Sequence, residues 1–117
     1  MHKYEDLHVY QKALLYSNTV RVATKDFPKE ELYSLTSQYR RAADSIVLNI
    51  AEDAGNYSDK EFARFLTYSV RTGFECKGCV DIAFINKFID EKHKQQLKSD
   101  ANEIIAMLDG LYKSLNK

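Results

Sequence analysis

Tryptophan is absent from this sequence of 117 residues, proline occurs once, glycine four times and cysteine twice. So few turn formers leave little to interrupt the chain, and long elements joined by few loops are expected. Two cysteines make no disulfide framework, which suits a reducing compartment. No stretch approaches the roughly 18 consecutive apolar residues of a membrane span. The N-terminal "MHKYEDLHVYQK" also lacks the apolar run of a signal peptide, so neither membrane insertion nor secretion is expected and the cytoplasm is the default location. Net charge is missing too: 17 basic residues balance 17 acidic ones. The signs are mixed, with 7 basic and 6 acidic residues in positions 1–50 and 10 and 11 in positions 51–117. Nonspecific nucleic-acid affinity comes chiefly from neutralising phosphates, so this balance weighs against a strong autonomous RNA or DNA binder.

What is present is a globular composition, 44% hydrophobic and 29% charged, at a length that suits one domain, residues 1–117, with a core of its own. Phe62, Leu66, Ser69, Gly73, Cys76, Val80 and Ala83 recur at alternating spacings of four and three, the seam of an amphipathic helix. Leu97, Ala101, Ile104, Leu108, Leu111 and Leu115 repeat the pattern, as do Leu35, Tyr39, Ala42, Ile46 and Ile50. The first quarter shows a wider face with Leu7, Tyr10, Ala13, Leu14, Val20 and Phe27, and strand-like alternation is absent throughout.

The breaks agree with four helices, over residues 6–26, 29–54, 59–87 and 91–115. Pro28 disfavours helix at Phe27 but suits the first turn of the second helix. Gly55 can stop that helix, Ser58 and Glu61 form a capping box for the third, and Asp90 is the expected N-cap of the fourth. Short connections between long amphipathic helices predict an all-α, up-down-up-down antiparallel four-helix bundle.

Catalytic and metal patterns are weak. "CKGC", Cys76 to Cys79, falls mid-helix, whereas a redox pair needs a helix N-terminus to stabilise its thiolate. Zinc would need two more ligands, and His2, His8 and His93 show no paired spacing. The bundle metal pattern of Glu-x-x-His on facing helices is missing, and no nucleophile elbow, phosphate loop or glycine-rich dinucleotide turn occurs. No catalytic residue, cofactor, metal or small-molecule substrate is therefore expected, and the cysteines read as buried structural thiols. Gly73 and Gly78 each cost about 1 kcal/mol in a helix interior, which calls for a packing reason.

The stretch "SQYRRAADSIVLNIAED" carries the most informative polar residues. At about 100° per residue, Ser34, Gln38, Arg41, Ser45, Asn49 and Glu52 form one stripe bordering the apolar seam. Leu48 lies at the outer edge of the stripe, while Arg40 and Asp44 are placed farther toward solvent. Two readings stand: a solvated flank with one stray leucine, or a subunit contact through Gln38, Arg41, Ser45, Leu48, Asn49 and Glu52. Arg40 and Arg41, with nearby Arg21, Lys25 and Lys29, are the candidate contacts for weak RNA or DNA binding.

"FPKEELYSLTSQYRRAADSIVLNIAED" and the later "YSDKEFARFL" are similar to the signature of the 23S rRNA intervening-sequence proteins, a bacterial family that includes the accessory variability proteins of diversity-generating retroelements. Phe27, Pro28, Glu31, Leu35, Gln38, Arg40, Arg41, Ala42, Ser45, Ile46 and the run Asn49–Glu52 match, as do Ser58, Phe62, Phe65 and Leu66. The resemblance implies a four-helix bundle assembling into a homopentameric ring without catalytic activity; the accessory type binds a reverse transcriptase together with nucleic acid. Asp53 stands where the pattern has glycine, and "RTGFE" replaces a Gly-Ser-Glu stretch. The neutral chain also differs from the basic retroelement members. The expected role is a non-enzymatic homo-oligomeric interaction protein whose partner is itself. The alternative is a nucleic-acid-binding accessory protein, and the remotest is a thiol-redox protein using Cys76 and Cys79.

Overall fold

Apolar seams at spacings of three and four can be hidden from water only by packing helix against helix, and the chain does this four times around one core. A computed structural model describes residues 1–117. It is all-α: α1 (His8–Thr24), α2 (Leu35–Asp53), α3 (Asp59–Ile85) and α4 (Glu91–Leu115), with 3-10 turns at Tyr4–Asp6 and Lys29–Glu31. No strand is present, and no helix is long and apolar enough to cross a membrane.

The expected caps close two helices. Ser58 Oγ accepts from the Glu61 amide at 3.2 Å, and Asp90 Oδ1 from the His93 amide at 2.8 Å. The second helix begins at Leu35, six residues later than the sequence suggested. After Pro28 the chain tightens through three-residue bonds, Glu31 N–H to the Pro28 carbonyl and Leu32 N–H to that of Lys29, and Ser34 at φ −124°, ψ −108° interrupts it. The third helix stops at Ile85 because two bonds fold its end back: Phe88 N–H donates to the Ala83 carbonyl and Lys87 N–H to that of Phe84, both at 2.9 Å. This is a Schellman closure, and it places Lys87 in the left-handed region at φ 64°.

α1 packs on α2 and α4, and α3 packs on the same two. The seams of α2 and α3 are buried as expected, as are Leu97, Ala101, Ile104 and Leu108 of α4. On α1 the inward face is Val9, Ala13, Tyr16 and Val20, and Leu14, expected to be part of it, is 51% exposed. One residue from Ala13 turns the side chain by about 100°, out of the core and onto the flank beside α2. At the centre Tyr16 donates its hydroxyl to the Leu97 carbonyl at 3.4 Å and Tyr39 donates to Tyr16 at 2.6 Å. Three helices are thereby joined inside the apolar core, and burial pushes the ionisation of both phenols well up. Ser69 Oγ, by contrast, is buried with no partner.

Gly73 has the packing reason the sequence asked for: a Cβ there would lie 2.7 Å from Ile105 Cγ1, so α3 and α4 approach closely at this point. Gly78 does not, since a Cβ at that position meets nothing within 4 Å.

A left-handed lysine costs about 1 kcal/mol that glycine avoids. Lys87→Gly is therefore expected to stabilise the fold by about that amount, read as a higher urea midpoint with an unchanged slope.

Candidate functional site

Between α2 and α3 the helix flanks diverge into an open groove of about 800 Å³. Its α2 wall is the polar stripe: Gln38, Arg41, Ser45, Leu48, Asn49 and Glu52 all line it. The structure thus brings every residue of the sequence-derived stripe to one surface. It adds Tyr33 at one end and Thr72 and Glu75 as the α3 wall. Those last two were not singled out by sequence reasoning, although they flank the Gly73–Cys76 seam positions on the side that turns toward α2.

Within the groove Asn49 Nδ2 donates to Ser45 Oγ at 3.1 Å. Arg41, Glu52 and Glu75 make no ion pair within the chain. Other charges are paired between helices, Lys12 with Asp100 and Lys98 with Asp81, while Arg71 and Lys77 of α3 also lack an ion pair. Leu48, 61% exposed, and Tyr33, 94% exposed, add apolar area to the same surface.

At its outer edge, where Asp44 also lines the groove, α2 is committed to α1, which corrects the placement of two residues. Asp44 and Arg40, expected to point to solvent, tie the two helices together. Arg21 forks onto both Asp44 oxygens at 2.7 Å, Ser17 Oγ donates to Asp44 Oδ1 at 2.6 Å, and Arg40 Nε donates to Thr24 Oγ1 at 2.8 Å. The Arg21 hydrogen bonds, then that of Ser17, hold the Asp44 carboxyl below the ordinary carboxylate range. Asp44 is accordingly a structural position rather than a neutral outer one. Among the candidate nucleic-acid contacts, Arg21 is neutralised by Asp44, Arg40 is half-buried on α1 and Arg41 faces the groove. Only Lys25 and Lys29 remain exposed without an ion pair on the connection between α1 and α2.

The cysteines lie away from this groove. Both are buried and free. Burial, reinforced by Cys79 and then Glu75, pushes the Cys76 thiol up to about 12. Burial and then Glu75 push Cys79 to about 11. No three His, Cys, Asp or Glu side chains are grouped to hold a metal ion. At the C-terminal end of α2, burial and then the neighbouring Glu52 push the Asp53 carboxyl up to about 6.

In comparison with known proteins, residues 5–110 fit the family model described as 23S rRNA-intervening sequence protein. No curated protein matches the chain.

Two outcomes are expected from these groups. Neutral buried thiols are poor nucleophiles, so an aromatic disulfide reagent at pH 8 should leave Cys76 and Cys79 untouched until denaturant is added. For Asp53 the folded value lies above the unfolded one, so the folded state disfavours the charge that the unfolded chain carries freely. Stability then falls as pH rises from about 4 to about 6. Asp53→Asn should melt higher than wild type at pH 7, with the difference vanishing at pH 3.5.

Proposed function

The chain belongs to the 23S rRNA-intervening sequence protein family, and from that premise we propose that it is a non-enzymatic accessory protein of the cytoplasm that works as a homo-oligomer. Its subunit is an up-down-up-down antiparallel bundle, and five subunits form a ring held through the α2–α3 groove. The antiparallel order is supported by the brief connections between α2 and α3 and between α3 and α4.

The observation that carries the oligomeric reading is the groove itself. It gathers three charged side chains without partners, several hydrogen-bonding groups and an exposed leucine on one face. A solvated flank has no use for Leu48 at its edge, whereas a subunit contact uses it for apolar area and the polar groups for register. The distribution of exposed large apolar side chains supports the same reading: α1, α2 and α3 all carry them and α4 carries none. The non-enzymatic reading is supported by the chemistry of the groove. Its only hydroxyl bonded to a side chain, Ser45, is bonded to an amide rather than a base, and the protein's thiols are buried elsewhere.

Size exclusion with light scattering is expected to give five times the 13.5 kDa chain mass. A polar group left unpaired in a buried contact costs roughly 1–3 kcal/mol, and in a ring the loss recurs at every interface. Glu52→Ala and Leu48→Asp should therefore shift the mass toward one chain while circular dichroism keeps the helical signal. A wild-type mass of one chain at tens of micromolar would overturn the proposal.

A further inference from the structure

We propose that the groove of one copy receives the outer face of α1 from the next copy, with Leu48 of the first against Leu15 of the second at the apolar centre. The contact is head-to-tail and rests on the oligomeric reading above.

Leu48 requires an occupant that brings apolar area without unpaired charge. Across the middle of α1, Gln11, Leu15, Asn18 and Val22 recur at spacings of four, three and four, forming an outer strip with no charge. Leu15 is 68% exposed and Val22 is also exposed, so the strip leaves apolar area in water. The other outward strips are poorer partners. Those of α3 carry charge: the strip with Ile82 includes Arg71, which has no ion pair, and the strip with Phe74 and Ile85 includes Asp81, already committed to Lys98, and burying charge without a free partner is costly. That of α4 exposes no large apolar side chain.

Register makes the match specific. A closed ring whose axis runs along the helices relates copies by rotation without rise, so facing residues must stand at the same level. The levels of α1 and α2 are tied together on their outer side, because Asp44 sits between Ser17 and Arg21 and Arg40 meets Thr24. One turn back along α1 from that clamp is therefore level with one turn forward along α2, which puts Leu15 level with Leu48. A further turn puts Gln11 level with Glu52, and on the other side Asn18 is level with Ser45. Each is a usable pair. Gln11 keeps one amide proton after donating to the Glu5 carbonyl, and Glu52 needs a donor. Asn18 has no hydrogen-bond partner in the protomer, while Ser45 accepts from Asn49 and keeps its proton to donate. Beyond Val22 the strip ends at Lys25 and Asp26, which have no ion pairs of their own and supply the opposite charges that Glu75 and Arg41 lack. The α1 face and the groove occupy different sides of the same subunit, the arrangement that propagates a head-to-tail contact.

The test uses site-directed cross-linking in a background with Cys76→Ala and Cys79→Ser. Leu15→Cys and Leu48→Cys chains, co-expressed and treated with a short bismaleimide, should give a covalent pair of chains on a denaturing gel. Either chain expressed alone should give none. One chain carrying both substitutions should give a ladder up to the full ring. Asn18→Cys with Ser45→Cys, at the same interface but with both leucines kept, should cross-link in the same way and serves if the first pair weakens assembly. Linking by Leu48→Cys alone would mean that two grooves face each other and would overturn the proposal. So would the absence of mixed linking by both pairs in protein that light scattering finds assembled. Wild-type protein of one-chain mass would instead remove the oligomeric reading on which the proposal stands.

Discussion

The register of α1 against α2 is fixed from both sides of their contact, and the surface of the protein depends on it. Inside, the hydroxyls of Tyr16 and Tyr39 can be satisfied only by each other and by the Leu97 carbonyl, and a buried hydroxyl without a partner costs more than the bond contributes. Outside, the guanidinium of Arg21 forks onto Asp44 with Ser17 beside it, a planar geometry that tolerates little sliding. Sliding α1 by one turn would break both sets at once. What the two helices present to solvent is consequently presented at fixed relative heights.

The Asp44 clamp also explains why the other flank of α2 is different. On the α1 side charge is matched within the chain; on the α3 side Arg41, Glu52 and Glu75 surround an open groove with no ion pair. In an isolated subunit water must hydrate these groups, and Leu48 adds exposed apolar area without benefit. In the assembly proposed above, the same groups are the specific part of an interface whose central area is apolar. The matched flank fastens α2 to α1, and the unmatched flank is left open to solvent.

Chemistry that looks suggestive in the sequence is quiet in the fold for one reason, burial. Cys76 and Cys79 belong to helix positions that face the core or its edge, where a thiolate is disfavoured and no cation approaches. The pair therefore acts as compact core filler beside the close approach at Gly73. Asp53 shows the same effect where it is only partial: it stands at the C-terminal end of α2, next to Glu52 and partly withdrawn from water, so its carboxyl titrates high.

How much could be read beforehand depends on the range of the physics involved. Four helices, their caps at Ser58 and Asp90 and the apolar seams were legible because periodicity and capping are local. The polar stripe from Gln38 to Glu52 was legible as a stripe for the same reason. Its opposite wall at Thr72 and Glu75 was not, since nothing in one helix says which flank of another will face it. Leu14 was assigned to the core because the first quarter is apolar on too wide a face to locate its centre. Asp44 and Arg40 were assigned to solvent because an angle on one helix cannot reveal that α1 lies there. Pro28 located a break, yet the delayed start of α2 at Leu35 came from the tight turn after it, and Lys87 gave no glycine signal for the closure of α3. The sequence by itself determined the class of fold, the number of its helices and the chemical character of most faces, all consequences of spacings within a turn or two. Only the tertiary structure decided which faces meet, which charges are satisfied and which are left in a groove, because those depend on contacts between residues far apart in the chain.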